Sequence, residues 1–252
     1  QHFLTDLNIA RRICDSLSPA GPCAPAEEAG PAVGSRGESP SAREAGREQE
    51  CLPRAVLEVG PGMGVLTQFL LQRTDMELYA AEIDTESVVY LRRHYPQLQS
   101  RLIEGDFLRM NLRELFPRGV RVIGNFPYNI SSQIFFRILE HRDLVPEAVG
   151  MVQREVAMRI AEPPGSRDYG ILSVLLQSWY DIDYLFTVSE GVFSPPPKVK
   201  SAVIRLRRNG VRELGCDERL FVRVVKASFG QRRKVLRNSL RAVFGDFGGE
   251  EH

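Results

Sequence analysis

The amino-acid sequence predicts a doubly wound α/β fold with a mostly parallel sheet, followed by a small helical module. Apolar strand-like segments alternate with helical segments from residue 55 onwards, and the first predicted strand runs into a glycine-rich turn. Basic residues are concentrated in the last quarter of the chain. Folds of this class bind ligands outside the carboxyl ends of their strands, so functional side chains are expected there.

The predicted elements follow from hydrophobic periodicity, which is near two residues in strands and near 3.6 in helices. The predicted strands are residues 55–59, 77–81, 101–104, 120–124, 148–152, 183–188 and 201–207. The predicted helices are residues 66–72, 85–94, 131–139, 170–180, 218–229 and 232–244, and residues 3–17 form a short amphipathic segment. This alternation is typical of a parallel sheet with helices on both faces.

The composition predicts a soluble cytoplasmic protein. The 252 residues suffice for one large and one small domain. No stretch approaches the roughly 18 apolar residues of a membrane span. The first residues lack both an initiator Met and a signal-peptide pattern, so the sequence is expected to begin inside a longer protein. The four cysteines show neither CxxC spacing nor histidine partners, so neither a metal site nor a disulfide framework is expected.

Residues 18–52 form a compositional island that is rich in Ala, Gly, Pro, Ser, Glu and Arg and contains no aromatic residue. Such a segment buries too little apolar surface to offset its ordering entropy, so it is predicted to be a disordered insertion. The chain is accordingly divided into an N-terminal segment (1–17), the insertion (18–52), a main domain (53–208) and a C-terminal module (209–252).

The net charge of +1 hides a strong asymmetry along the chain. Residues 190–244 contain 14 Lys/Arg against 4 Asp/Glu, or +10, which leaves 33 − 14 = 19 basic and 32 − 4 = 28 acidic residues, or −9, elsewhere. A basic module of this kind is expected where a protein meets a polyanion such as nucleic acid. The alternative is a solvated basic helix without a partner.

The first three strand ends indicate a nucleoside site. Gly60 and Gly62 lie in the turn after the first strand, where glycines let the backbone approach a ligand at a helix N-terminus. Glu82 follows the next strand about 20 residues on, where a carboxylate can accept both hydroxyls of a ribose. Asp106 ends the third strand and could accept from an adenine amino group while Phe107 packs on the ring. A nicotinamide cofactor and S-adenosylmethionine both remain open at this point.

The fourth strand decides between them through the tetrapeptide 125–128, Asn-Phe-Pro-Tyr. An amino group conjugated to a purine is a poor nucleophile, so its nitrogen lone pair must be aimed at a sulfonium methyl group. The Asn125 side-chain oxygen and the Pro127 carbonyl can accept the two amino hydrogens, and Tyr128 can stack on the extruded base. The methyl donor carries its own positive leaving group, so neither a metal nor a strong base is needed. A tight turn with a core Tyr is the alternative.

The tetrapeptide resembles the catalytic motif of amino-group methyltransferases, in the variant found in the KsgA family of rRNA adenine-N6,N6-dimethyltransferases. Phe126 stands where that family usually has Leu, at a position whose side chain packs. Four further segments resemble the signatures of the family, in its order: residues 1–4, 57–62, 193–203 and 229–234. The resemblance covers most of the chain outside residues 18–52. The family usually has a short link there, and the C-terminal module is expected to be incomplete relative to the family.

The resemblance implies a Rossmann-like class I methyltransferase sheet over residues 53–208 and an N-terminal segment that covers the cofactor. The residues implied to bind S-adenosylmethionine are His2, Leu4, Gly60, Gly62, Glu82, Ile83, Asp106, Phe107 and Asn125. The catalytic set is Asn125, Pro127, Tyr128 and Phe193, with Phe193 and Tyr128 on opposite faces of the target base. The residues expected to contact RNA are Lys198, Lys200, Arg232, Arg233, Lys234 and Arg237.

The function implied by the resemblance is N6,N6-dimethylation of adenosines in the 3′-terminal hairpin of small-subunit ribosomal RNA, by a monomer acting in small-subunit maturation. The nearest alternative is an erythromycin-resistance type methyltransferase of large-subunit rRNA. A non-catalytic ribosome-assembly factor on the same fold is a second alternative, which the intact Asn125 and Tyr128 disfavour. A NAD-dependent oxidoreductase is disfavoured because no catalytic His or Tyr-x-x-x-Lys pair lies beside the glycine turn.

Overall fold

The computed structural model describes residues 2–20, 52–231 and 234–244. The strands are β1 Phe3–Leu4, β2 Ala55–Val59, β3 Glu77–Glu82, β4 Leu102–Glu104, β5 Arg121–Asn125, β6 Glu147–Gln153, β7 Tyr180–Val188, β8 Phe193–Ser194 and β9 Ser201–Arg208. The helices are α1 Leu7–Asp15, α2 Thr67–Leu70, α3 Thr85–His94, α4 Leu112–Leu115, α5 Ser131–Glu140, α6 Arg154–Ala161, α7 Ile171–Gln177, α8 Glu218–Gly230 and α9 Leu236–Phe244.

Seven strands form the central sheet in the order β4-β3-β2-β5-β6-β9-β7. The first five run parallel to one another, whereas β9 is antiparallel to both of its neighbours. The predicted doubly wound, mostly parallel α/β fold is therefore confirmed. Because β2 to β5 are parallel, the glycine turn, Glu82, Asp106 and Asn125 meet at one edge of the sheet.

The core lies on both faces of this sheet, as alternation along the strands requires. Val56, Ile123 and Val149 pack with helices on one face, and Leu57 and Val122 belong to the cluster on the other. All five of these side chains are fully buried. Buried parallel strands of this kind read as continuous apolar runs, which is why the sequence pattern located them.

The structure corrects the predicted boundary between the seventh helix and the strand that follows it. Residues 170–180 were predicted to be helical, but α7 ends at Gln177 and β7 begins at Tyr180, three residues before the predicted start at 183. The reason is tertiary: Tyr180 pairs with Arg208, and its hydroxyl donates to the carbonyl of Val145 at 2.9 Å. Helix α6, over Arg154–Ala161, was not predicted.

The N-terminal segment is fastened to the sheet where the predicted insertion begins. Ser18 donates from its backbone and its hydroxyl to the Glu147 carboxylate, and the Ala20 amide donates to Asp75 at 3.1 Å. Arg73 and Arg121 both donate to the Ser18 carbonyl. The described chain thus continues three residues into the predicted insertion 18–52, and residues 21–51 lie outside the described part.

The C-terminal module begins with α8, whose first turn is capped by the Asp217 carboxylate accepting from the Leu220 amide. Arg142 ties this helix to the main domain through two hydrogen bonds to Glu218 at 2.9 and 2.7 Å, and its guanidinium lies over the Trp179 ring. Among the described residues, no helix is both long and apolar enough to cross a membrane.

Candidate active site

A cavity of about 420 Å³ opens at the carboxyl ends of β2, β3, β4 and β5. Its lining includes most of the predicted cofactor and catalytic residues: His2, Gly60, Glu82, Ile83, Asp106, Phe107, Asn125, Pro127 and Tyr128. These residues come from distant parts of the sequence, and the parallel sheet brings them to one edge. Within the described ranges 2–20, 52–231 and 234–244, the lining does not include Leu4, Gly62 or Phe193.

The carboxylate of Glu82 accepts hydrogen bonds from the glycine turn and from the backbone after β3. One oxygen of Glu82 accepts from the Gly62 amide at 2.9 Å, and the other accepts from the amides of Ile83 and Asp84 at 2.9 and 3.0 Å. Gly60 and Gly62 have φ values of 67° and 55°, which side chains disfavour. The Glu82 side chain is 4% exposed, so its carboxylate is shielded from bulk solvent. Its two oxygens can still accept further hydrogen bonds beyond the three from the backbone.

A second carboxyl group lies directly beneath this turn. Glu58 is 1% exposed and accepts a hydrogen bond of 2.6 Å from the Thr67 hydroxyl at the start of α2. Burial raises the pKa of Glu58 to about 7, the Thr67 hydrogen bond opposes that shift, and the nearby charge of Glu82 adds to it. This contact links the strand before the glycine turn to the helix after it.

The third strand end supplies Asp106 and Phe107. The Asp106 carboxylate caps a short 3-10 helix by accepting from the Leu108 amide at 3.0 Å, while its side chain is 31% exposed. Phe107 is buried and forms part of the cavity wall. A carboxylate beside an apolar wall has the chemistry that binds an adenine amino group and ring.

The tetrapeptide 125–128 leaves the sheet at the end of β5. Phe126 anchors it: the Phe126 amide donates to the Met151 carbonyl at 3.0 Å, and its ring lies over Gly124 and Gly150. A Cβ at Gly150 would come within 2.5 Å of that ring. The packing role predicted for position 126 agrees with this burial. Asn125 and Pro127 face the cavity from either side of the anchor.

The Pro127 carbonyl already accepts a hydrogen bond of 3.1 Å from the Ile130 amide. A carbonyl oxygen has two lone pairs, so it can accept a second hydrogen bond from a substrate amino group. Its catalytic role stays a prediction. Tyr128 is half-buried, its hydroxyl lies 2.6 Å from that of Ser201, and its ring is 5.8 Å from the ring of His2.

Phe193 lies in a two-stranded sheet in which β8 pairs with β1, Leu4 opposite Phe193. His2 contacts the Pro195 carbonyl at 2.8 Å and Thr5 donates to the Val192 carbonyl, so the N-terminal segment is fixed to residues 192–195. Leu4 and Phe193 are 3% and 4% exposed and belong to one core cluster. The predicted stacking of Phe193 on the base therefore requires its ring to leave this position, and it stays a prediction.

The candidate RNA-binding residues are dispersed. Lys198 and Lys200 are exposed on the segment between Phe193 and β9. Lys234 is exposed just before α9, and Arg237 is exposed within its first turn. Arg232 and Arg233 lie outside the described residues. The structure therefore brings most of the predicted cofactor and catalytic residues together around one cavity but places the four described basic residues in two separate parts of the chain.

The sequence analysis missed two residues with evident structural roles at the site. Ser201 contacts Tyr128, and Glu58 supports the glycine turn. Glu58 has a weak signal in the sequence, because a carboxylate inside an apolar strand needs a partner when buried. Ser201 has no local signal, since its partner is 73 residues away.

Comparisons with known proteins show which proteins this chain resembles. A family model described as ribosomal RNA adenine dimethylase matches residues 1–247. The chain is 56% identical over 245 residues to the ribosomal RNA small subunit methyltransferase A of Porphyromonas gingivalis, covering 96% of this chain and 83% of the relative.

Two solved structures are also similar. A dimethyladenosine transferase from Plasmodium falciparum aligns with a TM-score of 0.63 and 27% identity, over 76% of this chain and 68% of the other. The 23S rRNA methyltransferase ErmE aligns with a TM-score of 0.65 and 25% identity, over 97% of this chain and 85% of the other.

Proposed function

Because the chain belongs to the ribosomal RNA adenine dimethylase family, we propose that it transfers methyl groups from S-adenosylmethionine to the N6 atoms of adenosines in small-subunit ribosomal RNA. The observation that carries the proposal is the shared cavity: Asn125 and Tyr128 line it together with Gly60 and Glu82. A methyl donor and an amino acceptor bound in one cavity can react directly. The finer proposal is two methyl groups per base, on adenosines of the 3′-terminal hairpin, during small-subunit assembly by a monomer.

The residues present fit S-adenosylmethionine. The sheltered Glu82 carboxylate suits a ribose diol, and Asp106 beside Phe107 suits an adenine. When bound, the cofactor supplies an electrophilic methyl group on a positive sulfur. The protein's own residues then have to orient the acceptor, and this is the role proposed for Asn125 and the Pro127 carbonyl as acceptors of the two amino hydrogens. Held in this way, the amino nitrogen would direct its lone pair at the methyl group that the cofactor would supply, and one amino proton would leave to water.

The small ribosomal subunit is favoured over the large one by the degree of similarity. The relative named for the small subunit is 56% identical to this chain, whereas the 23S rRNA methyltransferase is 25% identical. The Pro-rich segment before β9 and residues 231–234, Gln-Arg-Arg-Lys, also support the small-subunit assignment through the family resemblance.

The experiment that tests the proposal uses the full chain with S-adenosylmethionine tritiated in its methyl group. Small subunits that lack the modification are the substrate, and large subunits from the same cells are the control. The expected result is label in small-subunit RNA alone, recovered as dimethyladenosine after digestion. Label in large-subunit RNA would transfer the assignment to the erythromycin-resistance type, and no label in either would favour a non-catalytic assembly factor.

Asn125→Ala tests the chemistry within this assay. Loss of a positioning hydrogen bond at the reacting atom is expected to lower the single-turnover rate about 100-fold or more at saturating cofactor. Asn129→Ala is the matched control, because Asn129 lines the same cavity and is exposed. Equal rates for wild type and Asn125→Ala would remove the catalytic assignment.

A further inference from the structure

Ser201 connects the tetrapeptide 125–128 to strand β9 of the central sheet. It is the first residue of β9, its side chain is fully buried, and its hydroxyl oxygen lies 2.6 Å from the hydroxyl oxygen of Tyr128. Its backbone is opposite Gln153 on β6 and Val188 on β7. Because it sits between two paired strands, Ser201 offers Tyr128 a fixed attachment point.

Among the contacts that the structure describes for Tyr128, two others are a hydrogen bond to its backbone carbonyl and a ring contact with His2. Its carbonyl accepts from the Ser131 hydroxyl at 3.2 Å, and the His2 ring lies 5.8 Å from its own at an angle of 35°. A half-buried aromatic side chain in a loop has rotamer freedom that must be lost before it can stack on a base. A hydrogen bond at the phenol end removes that freedom in advance.

We propose that Ser201 is a positioning residue for methyl transfer, because its hydroxyl fixes the phenol of Tyr128 in the orientation that receives the target adenine. The inference rests on the proposed function, in which Tyr128 stacks on the base. Ser201 is not itself part of the cavity lining, and in this scheme it does not touch the reacting atoms. It acts through Tyr128 alone.

The contact between Ser201 and Tyr128 also joins the segment before β9 to the tetrapeptide. Ser201 directly follows the segment that carries Phe193, Lys198 and Lys200, so the end of that segment is joined to Tyr128. A base that stacks on Tyr128 therefore meets a ring that is already held in place, whereas the ring of Phe193 is buried.

The test is a double-mutant cycle on the single-turnover rate, with Ser201→Ala, Tyr128→Phe and the double variant. Each single change removes the same hydrogen bond, so each is expected to lower the rate by about 3- to 10-fold, the range for one net hydrogen bond. The double variant is expected to be no slower than Tyr128→Phe, because Ser201 has nothing left to position. Since base capture follows RNA binding, the dissociation constants for RNA and cofactor are expected to stay unchanged.

Ser173→Ala is the matched control. Ser173 is equally buried, on α7, and its hydroxyl hydrogen-bonds to the backbone at Arg159 and Gly170. It is expected to lower the melting temperature without lowering the methylation rate. Tyr128→Phe, at a half-buried site, gives the same information should Ser201→Ala not fold.

A wild-type rate for Ser201→Ala or for Tyr128→Phe overturns the inference, and so does a double variant whose loss equals the product of the two single losses. These outcomes are distinct from failure of the proposed function, in which the wild type itself methylates no small-subunit RNA. Fluorine NMR of protein labelled with 3-fluorotyrosine checks the contact without substrate. The Tyr128 resonance, identified by its absence in Tyr128→Phe, is expected to move in Ser201→Ala and to stay in place in Ser173→Ala.

Discussion

Glu58 shows at the scale of one residue how burial sets the charge of a side chain. The strand pattern places it between apolar neighbours, and the fold removes it from solvent beneath the glycine turn. Desolvation is the main cause of its raised pKa, and the hydrogen bond from the Thr67 hydroxyl offsets only part of that rise. The pKa of this carboxyl group, on the strand that leads into the glycine turn, therefore lies near neutral pH.

The raised pKa predicts a specific pH dependence of stability. The pKa of Glu58 rises from 4.5 to about 7 on folding, so between these values the folded protein binds a proton that the unfolded chain does not. Its contribution to stability thus falls as pH rises through this window and is constant above it. Glu58→Gln cannot titrate, so the free energy of unfolding of the variant relative to wild type should increase by about 3 kcal/mol between pH 4.5 and pH 8.

Urea unfolding at a series of pH values measures this difference. Glu86→Gln, at an exposed position in the first turn of α3, is the control for losing a carboxylate. A difference between Glu58→Gln and wild type that does not change with pH would show that the pKa of Glu58 is the same in the folded and the unfolded protein.

Glu82 carries a prediction about the cofactor. Its carboxylate accepts three backbone amides around the glycine turn and is proposed to accept the ribose hydroxyls as well. Glu82→Ala is expected to weaken S-adenosylmethionine binding by about 1 to 3 kcal/mol, the range for hydrogen bonds to a charged group. Calorimetry measures the dissociation constant. Glu104→Ala is the matched control, because Glu104 is opposite Glu82 in the sheet register and is exposed; an unchanged constant for Glu82→Ala would disprove the assignment.

At the scale of elements, the attachment of the N-terminal segment depends on two buried or half-buried arginines. Arg73 donates to the carbonyls of Cys14, Leu17 and Ser18, and it is also paired with Asp75. Arg121 donates to the carbonyls of Ser18 and Pro53, which lie on either side of residues 21–51. Both flanks of that segment are thus fixed to the same sheet.

This anchoring predicts that the segment between the flanks is dispensable for stability. Replacing residues 21–51 by about ten Gly/Ser residues should raise the free energy of unfolding by at most about 1 kcal/mol, the entropy of closing a shorter loop. Cofactor affinity should not change. Urea unfolding and calorimetry measure both quantities. A large loss of stability would mean that residues 21–51 pack on the domain, and Arg73→Ala provides the positive control for a lost anchor.

At the scale of the whole molecule, positive charge is concentrated in one stretch of the chain. Residues 190–244, which include the end of the main domain as well as α8 and α9, carry +10, and the rest of the chain carries −9. A polyanionic substrate is attracted to one part and repelled by most of the other. We therefore predict that capture of RNA and the methyl-transfer step depend on different residues.

Changing Arg232 and Arg233 to Ala is predicted to weaken RNA binding and to flatten its salt dependence by roughly one slope unit per lost phosphate contact. The slope is measured from RNA dissociation constants between low and moderate salt, and cofactor binding should not change. Arg92→Ala with Arg93→Ala, on the exposed face of α3, makes the same charge change in the acidic part. Equal slopes for wild type and the Arg232/Arg233 variant would mean that these residues belong to a solvated face.

Local patterns in the sequence were enough to predict the parallel strands and the polar residues at their carboxyl ends. Glu82, Asp106 and Asn125 each follow an apolar strand, and parallel strands necessarily bring such positions together. Strand β2 and helix α3 were predicted with their observed ends, because local hydrophobic periodicity defines them.

Contacts between residues that are distant in sequence could not be predicted and became visible in the folded protein. The hydroxyl pair of Tyr128 and Ser201, the pairing of Leu4 with Phe193 and the start of β7 at Tyr180 all depend on neighbours that no local pattern specifies. The raised pKa of Glu58 belongs to the same class, since desolvation exists only after the chain has packed. Periodicity reports how a segment divides between core and solvent, whereas pairing partners and dielectric surroundings arise from the assembled fold.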